Sequence, residues 1–315
     1  MRTHKQSFFL SVVFLLVIGL LTACGSGPGD LNHSGAHSDA VPATRVYHGE
    51  NGDVRIPAHP QRIAVLAHIY VGNVLKLGIT PIAVNEWVKE NAFFQGKLDG
   101  VEVVTEDSIE KLLELNPDLI ITYTSDKNLK KYAEIAPTVA LTNDKYSYLE
   151  QHIEIGKIVG KEKEAQAWVD EWNAKAKIES EKVKAAIGEN VTITVLESFG
   201  KDIYVYGNNW GRGTEVIYQA LGIKAPQNVE ADVFGQGYKA ISSEVIPQYA
   251  GDYIFVGGGD ESINNSFMET DVWKNIPAVQ KKQVIPFDSK SFWFNDAISL
   301  EKQMEFIVKE LTKSK

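Results

Sequence analysis

Apolar runs and amphipathic stretches alternate along most of the chain. Residues 46–48 and 54–56 flank Glu50-Asn51-Gly52-Asp53, whose Asn-Gly pair suits a tight hairpin turn. Residues 62–67 read as a buried strand, 70–77 as a short helix ending at Gly78, and 83–84 as another short strand. Apolar runs at 118–122 and 138–141 follow, separated by helical segments. The alternation resumes after residue 191, with strands at 191–196, 203–206, 253–256 and 284–287 and helices at 214–221 and 299–311. Strands alternating with helices predict an α/β fold built on mostly parallel sheet.

Between these halves the period changes. From 146 to 187, apolar residues recur at Ile155, Ile158, Val159, Trp168, Val169, Trp172 and Ala176, charges fill the gaps, and proline is absent. This is the pattern of a long amphipathic helix, broken near Gly156 or Gly160. Trp168 and Trp172 are four apart and share one face, which makes them packing residues.

The two α/β halves also repeat each other. Ser108-Ile109-Glu110-Lys111-Leu112-Leu113-Glu114-Leu115-Asn116-Pro117-Asp118-Leu119-Ile120 aligns without a gap to Ser242-Ser243-Glu244-Val245-Ile246-Pro247-Gln248-Tyr249-Ala250-Gly251-Asp252-Tyr253-Ile254. Ser, Glu, Asp and Ile recur identically, and each copy reads as a capped short helix, a turn and a buried strand. Two related lobes joined by one long helix follow, each presenting a glutamate, Glu110 or Glu244, near a helix start. Helix-start electrostatics alone would account for one such glutamate. Two in equivalent places suggest a shared task or a shared ancestral motif.

The N-terminus has a separate character. Arg2 and Lys5 precede an almost wholly apolar stretch at 8–21, and small residues lead to Cys24. This is the layout of a secretory signal, and it is short for a spanning helix, which needs about 20 apolar residues. Leu21-Thr22-Ala23-Cys24 resembles a bacterial lipobox, which implies cleavage before Cys24 and a diacylglyceryl thioether on its sulfur. Residues 25–43 are rich in Gly, Ser, His, Asp and Pro and read as a flexible tether, so His33 and His37 are expected to be solvated. The expected divisions are a signal peptide at 1–23, a tether at 24–43, an N-terminal lobe at 44–145, the bridging helix at 146–188 and a C-terminal lobe at 189–315. Lipid, tether and body together describe a protein held at a membrane surface.

Composition narrows the function. Of 315 residues, 32 are Lys or Arg and 41 Asp or Glu, a formal charge of −9. An acidic body argues against nucleic acid, whose binding rests on phosphate neutralisation. Cys24 is the single cysteine, so no internal disulfide and no multi-cysteine metal site can form. His48, His59, His68 and His152 are the body's histidines and show no clustered spacing, against direct capture of a bare metal ion. There is no G-x-S-x-G elbow, H-E-x-x-H, P-loop or G-x-G-x-x-G after a strand, so an enzyme is disfavoured.

The stretch Tyr206-Gly207-Asn208-Asn209-Trp210-Gly211-Arg212-Gly213-Thr214-Glu215-Val216-Ile217-Tyr218-Gln219-Ala220 is the most distinctive in the chain. With Phe292-Trp293-Phe294-Asn295-Asp296, Tyr249-Ala250-Gly251-Asp252-Tyr253-Ile254, Tyr146-Ser147-Tyr148-Leu149-Glu150-Gln151 and Gly156-Lys157-Ile158-Val159-Gly160-Lys161-Glu162, it resembles the substrate-binding proteins whose two lobes are bridged by one rigid helix. The nearest likeness is to iron(III)-hydroxamate-binding lipoproteins of Gram-positive bacteria, over nearly the whole mature chain. The resemblance implies two Rossmann-like lobes with a ligand cleft between them. It also implies capture of an iron–siderophore complex outside the cell, and delivery to the permease of an ABC importer with a cytoplasmic ATPase. In the family one glutamate per lobe meets arginines of the permease, and Glu110 and Glu244 match those positions. No cofactor is implied, because the siderophore itself holds the iron, and a monomer is expected.

A wrapped ferric complex presents oxygens of partial negative charge and apolar arms. A guanidinium fork suits the first and aromatic rings the second. Trp210 and Arg212 lie in a glycine-rich loop and are expected to face the cleft; alone, each would read as core packing or a surface ion pair. Three consecutive aromatics cannot all face one core, so at least one of 292–294 should face the cleft. The resemblance puts Trp293 and Phe294 there. Some relatives carry tyrosine where this chain has Phe294. Tyr70, Trp87, Tyr123 and Lys127 follow strands of the first lobe, where open α/β sheets bind ligands. Tyr238 is a further candidate, and His68 is either a contact or a packed histidine. A single arginine with aromatics suits a nearly neutral hydroxamate complex, whereas a strongly anionic catecholate would call for several cations. Haem, vitamin B12, a catecholate or citrate siderophore in the same fold, and a tethered adhesin, stay open.

Overall fold

Residues 43–199, 202–259 and 264–313 are described by a computed structural model. Cys24, the segment read as signal and all of the tether but Ala43 lie outside the described residues. Strands β1 (Thr44–Gly49) and β2 (Gly52–Pro57) form the expected hairpin, with Gly52 at φ 104° where a side chain would be strained. Asn51 then docks the hairpin. Its amide donates to Thr138 O at 2.9 Å and its Oδ1 accepts from Ala140 N at 3.1 Å, both on the sheet behind.

That first sheet is parallel throughout. Its strands are β3 (Ile63–Val65), β4 (Ala83–Asn85), β5 (Glu102–Val104), β6 (Leu119–Tyr123) and β7 (Thr138–Leu141), in the order β5-β4-β3-β6-β7. Strands β3 and β7 are buried along their whole length, and β6 up to Tyr123, which is why these runs read as continuously apolar.

The second sheet departs from the parallel expectation. It holds β8 (Ile193–Phe199), β9 (Asp202–Tyr206), β10 (Tyr238–Ile241), β11 (Tyr253–Gly258) and β12 (Val284–Asp288) in the order β10-β9-β8-β11-β12. β8, β11 and β12 are parallel, but β9 runs antiparallel to both β8 and β10. Only residues 200 and 201 separate β8 from β9, and a parallel return needs a crossover of a dozen residues or more.

The repeat has a structural counterpart. In the first lobe the carboxylate of Asp118 accepts from the backbone of Gln61 (2.7 Å) and Arg62 (2.9 Å), fixing the entry to β3. In the second, Asp252 accepts from Thr192 N at 2.9 Å and from its hydroxyl at 3.0 Å, at the entry to β8. The same aspartate thus ties the central strand of each sheet to its neighbour.

The bridging segment is two helices. Tyr148–Val159 starts at a Ser147–Glu150 capping box and ends at Gly160, φ 75°. A Cβ there would lie 2.5 Å from Ala58 O, so both conformation and space require glycine. The second helix, Glu162–Ile187, is 26 residues long, roughly 39 Å at 1.5 Å per residue. Trp168 and Trp172 stack at 5.5 Å, and their indoles donate to Glu301 Oε1 (2.7 Å) and Tyr148 OH (3.1 Å), so they pack as read.

The helix Ala297–Thr312 makes a second connection between the lobes. Asp296 caps it, accepting from Ile298 N and Ser299 N at 3.0 Å each and from Ser299 Oγ at 2.7 Å. Asn73 of the first lobe accepts from Ala297 N and from His152 Nδ1, which therefore carries its proton. A Cβ on Gly72 would sit 1.6 Å from Asp296 Oδ1, so a glycine is required for this approach. Among the described residues no helix is long and apolar enough to cross a membrane.

Candidate functional site

In the first sheet β3 and β6 are adjacent, and the chain leaves them toward opposite edges. The crevice at such a switch point is where open α/β sheets take ligands. The loops that follow carry His68 and Ile69, and Tyr123 and Ser125. These residues form one wall of a cavity of about 370 Å³ between the lobes. Asn143 and Asp144 extend that wall, and Asn209 to Arg212, Trp293 and Asn295 form the other.

The second wall is organised by Glu197. It lies on β8 and is 1% exposed. Its Oε2 accepts from Arg212 Nε at 3.0 Å and from Tyr206 OH at 3.0 Å, and its Oε1 accepts from Trp293 Nε1 at 3.0 Å. One buried carboxylate thereby sets the angles of both the guanidinium and the indole that face the cavity. Gly257 on β11 makes room for it, since a Cβ there would lie 2.9 Å from Glu197 Cγ.

The glycine-rich loop holds its shape through Glu215. That buried carboxylate accepts from Gly211 N (3.0 Å) and Asn295 Nδ2 (3.1 Å), and burial pushes its pKa up against those hydrogen bonds. Gly211 has φ 68°, and a Cβ on it would meet Trp293 O at 2.4 Å. Arg212 is itself at φ 58°, its amide donating to Phe292 O at 2.5 Å and its Nη1 to Trp210 O at 3.1 Å. A non-glycine residue in this region is uncommon and persists where its surroundings hold it. The guanidinium lies over Tyr206 at 4.4 Å and near Trp293 at 5.8 Å, within cation–π range.

The remaining candidates separate. Trp210, Arg212, Tyr123 and Trp293 line the cavity. Tyr238 is 42% exposed and supports Trp210 from the side, with ring centroids 4.9 Å apart. Trp87 is 54% exposed and lines an adjoining cavity of about 320 Å³ with His68, Tyr123, Ser125 and Lys127. Its ring lies 6.4 Å from that of Trp293, and Lys127 pairs with Glu106 at 2.5 Å. His68 belongs to both cavities, with Nδ1 3.3 Å from Tyr123 OH, and burial pushes its pKa down to about 4.

Two expectations are corrected. Tyr70 is 1% exposed and Phe294 2%, and both belong to the core of the first lobe. Phe294 packs edge-on against His68 and Phe94, each at 5.8 Å, and so supports the wall from behind. Tyr70 does the same for Tyr123, at 5.7 Å. The aromatic triplet is thus divided three ways: Phe292 in the core of the second lobe, Trp293 in the cleft, Phe294 in the core of the first. Asn143, Asp144, Asn209, Asn295 and Glu197 are site residues that sequence patterns did not single out. The one available signal was a carboxylate at 197 directly after the strand read at 191–196.

Glu110 and Glu244 are both exposed, each at the start of the short helix of its lobe's repeat. A hydrogen bond with Ser242 holds the Glu244 carboxyl below its usual range. Among the described residues no group of three or more His, Cys, Asp or Glu side chains is placed to hold a metal ion.

Two α/β lobes with a polar and aromatic cleft between them are the build of a solute-binding protein. Residues 63–290 match the family described as periplasmic binding protein, and the chain belongs to that family. Among its relatives is the iron(3+)-hydroxamate-binding protein FhuD of Bacillus subtilis (strain 168), 42% identical over 95% of this chain and 96% of the relative. The solved FhuD protein from S. pseudintermedius is 35% identical, with a TM-score of 0.79 over 86% of this chain and 99% of that one. The structure of FhuD2 from Staphylococcus aureus with bound ferrioxamine B is 36% identical, with a TM-score of 0.77 over 80% of this chain and 98% of its own.

Proposed function

We propose that this protein captures a ferric hydroxamate siderophore between its lobes and delivers it to an ABC importer. The observation that carries this is the second wall of the cleft. One guanidinium and two indoles, from Arg212, Trp210 and Trp293, are held in a fixed array and face the tyrosine and histidine of the first lobe. Indole faces suit the apolar arms of such a ligand, and N–H donors suit its metal-bound oxygens. The iron arrives with its coordination filled by hard oxygen donors, so the protein contributes outer contacts only. Glu110 and Glu244 are assigned to the permease, one from each lobe. Cys24 would carry the lipid that holds the protein, as a monomer, on the outer face of the cell membrane.

The test is a titration of the purified protein with ferrioxamine B, a ferric tris(catecholate), haem and free Fe(III), followed by tryptophan fluorescence. Saturable quenching by ferrioxamine B, lost in Arg212→Ala, is expected. Quenching by the catecholate or haem instead would overturn the substrate, and no saturable response to any of the four would overturn the function.

A further inference from the structure

Arg212 is the one permanent cation among the described residues lining the cavity, and Asp144 the one carboxylate. The positive charge of Arg212 is already answered. Its Nε donates to Glu197 at 3.0 Å, and the two side chains are only 17% and 1% exposed, so the pair is shielded from solvent screening. An incoming anion therefore meets a dipole and a nearby aspartate in place of a free cation. The hydrogen-bonding capacity of the guanidinium is a separate matter. Of its five N–H groups, Nε is given to Glu197 and one on Nη1 to Trp210 O. The remaining three have no partner among the described residues. The cleft thus offers donors without offering net positive charge. The adjoining cavity repeats the balance, with Lys127 paired to Glu106 and Asp126 beside them.

From this we infer that Glu197 is the charge-setting residue of the cleft. It holds Arg212 as a donor while cancelling its charge, so the site selects ferric complexes that are neutral or singly positive and rejects polyanionic ones. The inference rests on the siderophore reading and sharpens it, because it names net charge as the property that is discriminated. Glu197 is a positioning residue: it reaches the ligand only through Arg212 and Trp293.

The experiment compares the full chain with its Glu197→Gln and Asp144→Asn variants. The probes are ferrichrome (neutral), ferrioxamine B (one positive charge) and a ferric tris(catecholate) (three negative charges). The wild type is expected to favour the neutral complex over the trianion by at least about a hundredfold. Glu197→Gln removes one negative charge beside the ligand, and the ratio should narrow by about tenfold or more through a gain for the trianion. The ferrioxamine B affinity should fall relative to ferrichrome. Asp144→Asn, at an exposed position outside the Arg212 network, should move the ratios the same way by about threefold. Glu197→Ser, a smaller polar residue that also removes the charge, should move the ratios as Glu197→Gln does, and it decides the matter if Glu197→Gln does not fold. A merely structural role for Glu197 would weaken all three probes equally, and unchanged ratios in the folded variants would overturn the inference. If the wild type binds none of the probes, the siderophore reading itself falls. If it binds the trianion most tightly, both fall.

Discussion

Asp296 is the most informative residue for a stability measurement. It is fully buried, caps the last helix and abuts Gly72 of the other lobe. Burial raises its pKa from 3.8 to about 6, against the hydrogen bonds from Ser299 and Ile298. The folded pKa lies above the unfolded one, so between about pH 4 and 6 the folded state binds more protons. Stability from this group is present below pH 4, is lost as pH rises through 6, and stays lost above. A gap of roughly two units corresponds to about 3 kcal/mol. Asparagine is as good an N-cap as aspartate and cannot ionise. Its amide, however, displaces the hydroxyl hydrogen that Ser299 donates to Oδ2, at a cost of about 1 kcal/mol. Asp296→Asn is therefore expected to stabilise the protein by about 2 kcal/mol at pH 7.5, and the gain should shrink to about 0.5 kcal/mol at pH 5 and vanish near pH 4.5. Buried His68 and His152, both pushed down to about 4, act in the opposite sense. They are common to the two proteins and cancel in the difference. Urea unfolding of both proteins from pH 5 to 8, followed by tryptophan fluorescence, measures it. A difference independent of pH, or a loss that grows with pH, would refute the reasoning.

Three further outcomes are expected. Gly237→Ala places a Cβ 2.6 Å from Trp210 Cε3 at φ 84°, so it should blue- or red-shift the tryptophan emission and weaken ferrioxamine B at least tenfold, read by the same titration. Asp118→Ala and Asp252→Ala should each cost about 1–3 kcal/mol in urea unfolding, and the double variant should be additive within about 0.5 kcal/mol because the sites lie in different lobes. Glu110→Ala with Glu244→Ala should leave ferrioxamine B affinity within twofold of wild type while lowering iron uptake in cells; unchanged uptake would remove the docking assignment.

Much of the fold was legible because its signals are local. The Asn51-Gly52 turn, the apolar runs of β3, β6 and β7 and the break at Gly160 each follow from a few adjacent residues. The paired lobes were legible because Asp118 and Asp252 keep the same task in the same register. The direction of β9 was not, since strand patterns do not say which neighbour a strand will join. Glu197 was missed for a related reason. The sequence pattern ends the strand at Leu196, whereas the structure continues it to Phe199 and buries the carboxylate against Gly257, sixty residues later. The resemblance and the glycine loop point to Trp210, Arg212 and Trp293, and all three line the cavity. Tyr70 and Phe294 were misplaced because burial of an aromatic depends on what packs behind it, and those partners come from distant segments.

The triplet at 292–294 has a mechanical consequence. Phe292 is anchored in one lobe's core and Phe294 in the other's, and the two Cα atoms are separated by only two peptide units, at most about 7 Å when extended. At that seam the lobes are stitched together with almost no slack. Opening there can proceed only as far as two peptide planes can swivel, unless a phenylalanine is drawn out of its core. Trp293 sits on the stitch itself. Any movement of one lobe against the other must therefore turn this indole, which makes it a strain gauge at the mouth of the cleft as well as part of its wall.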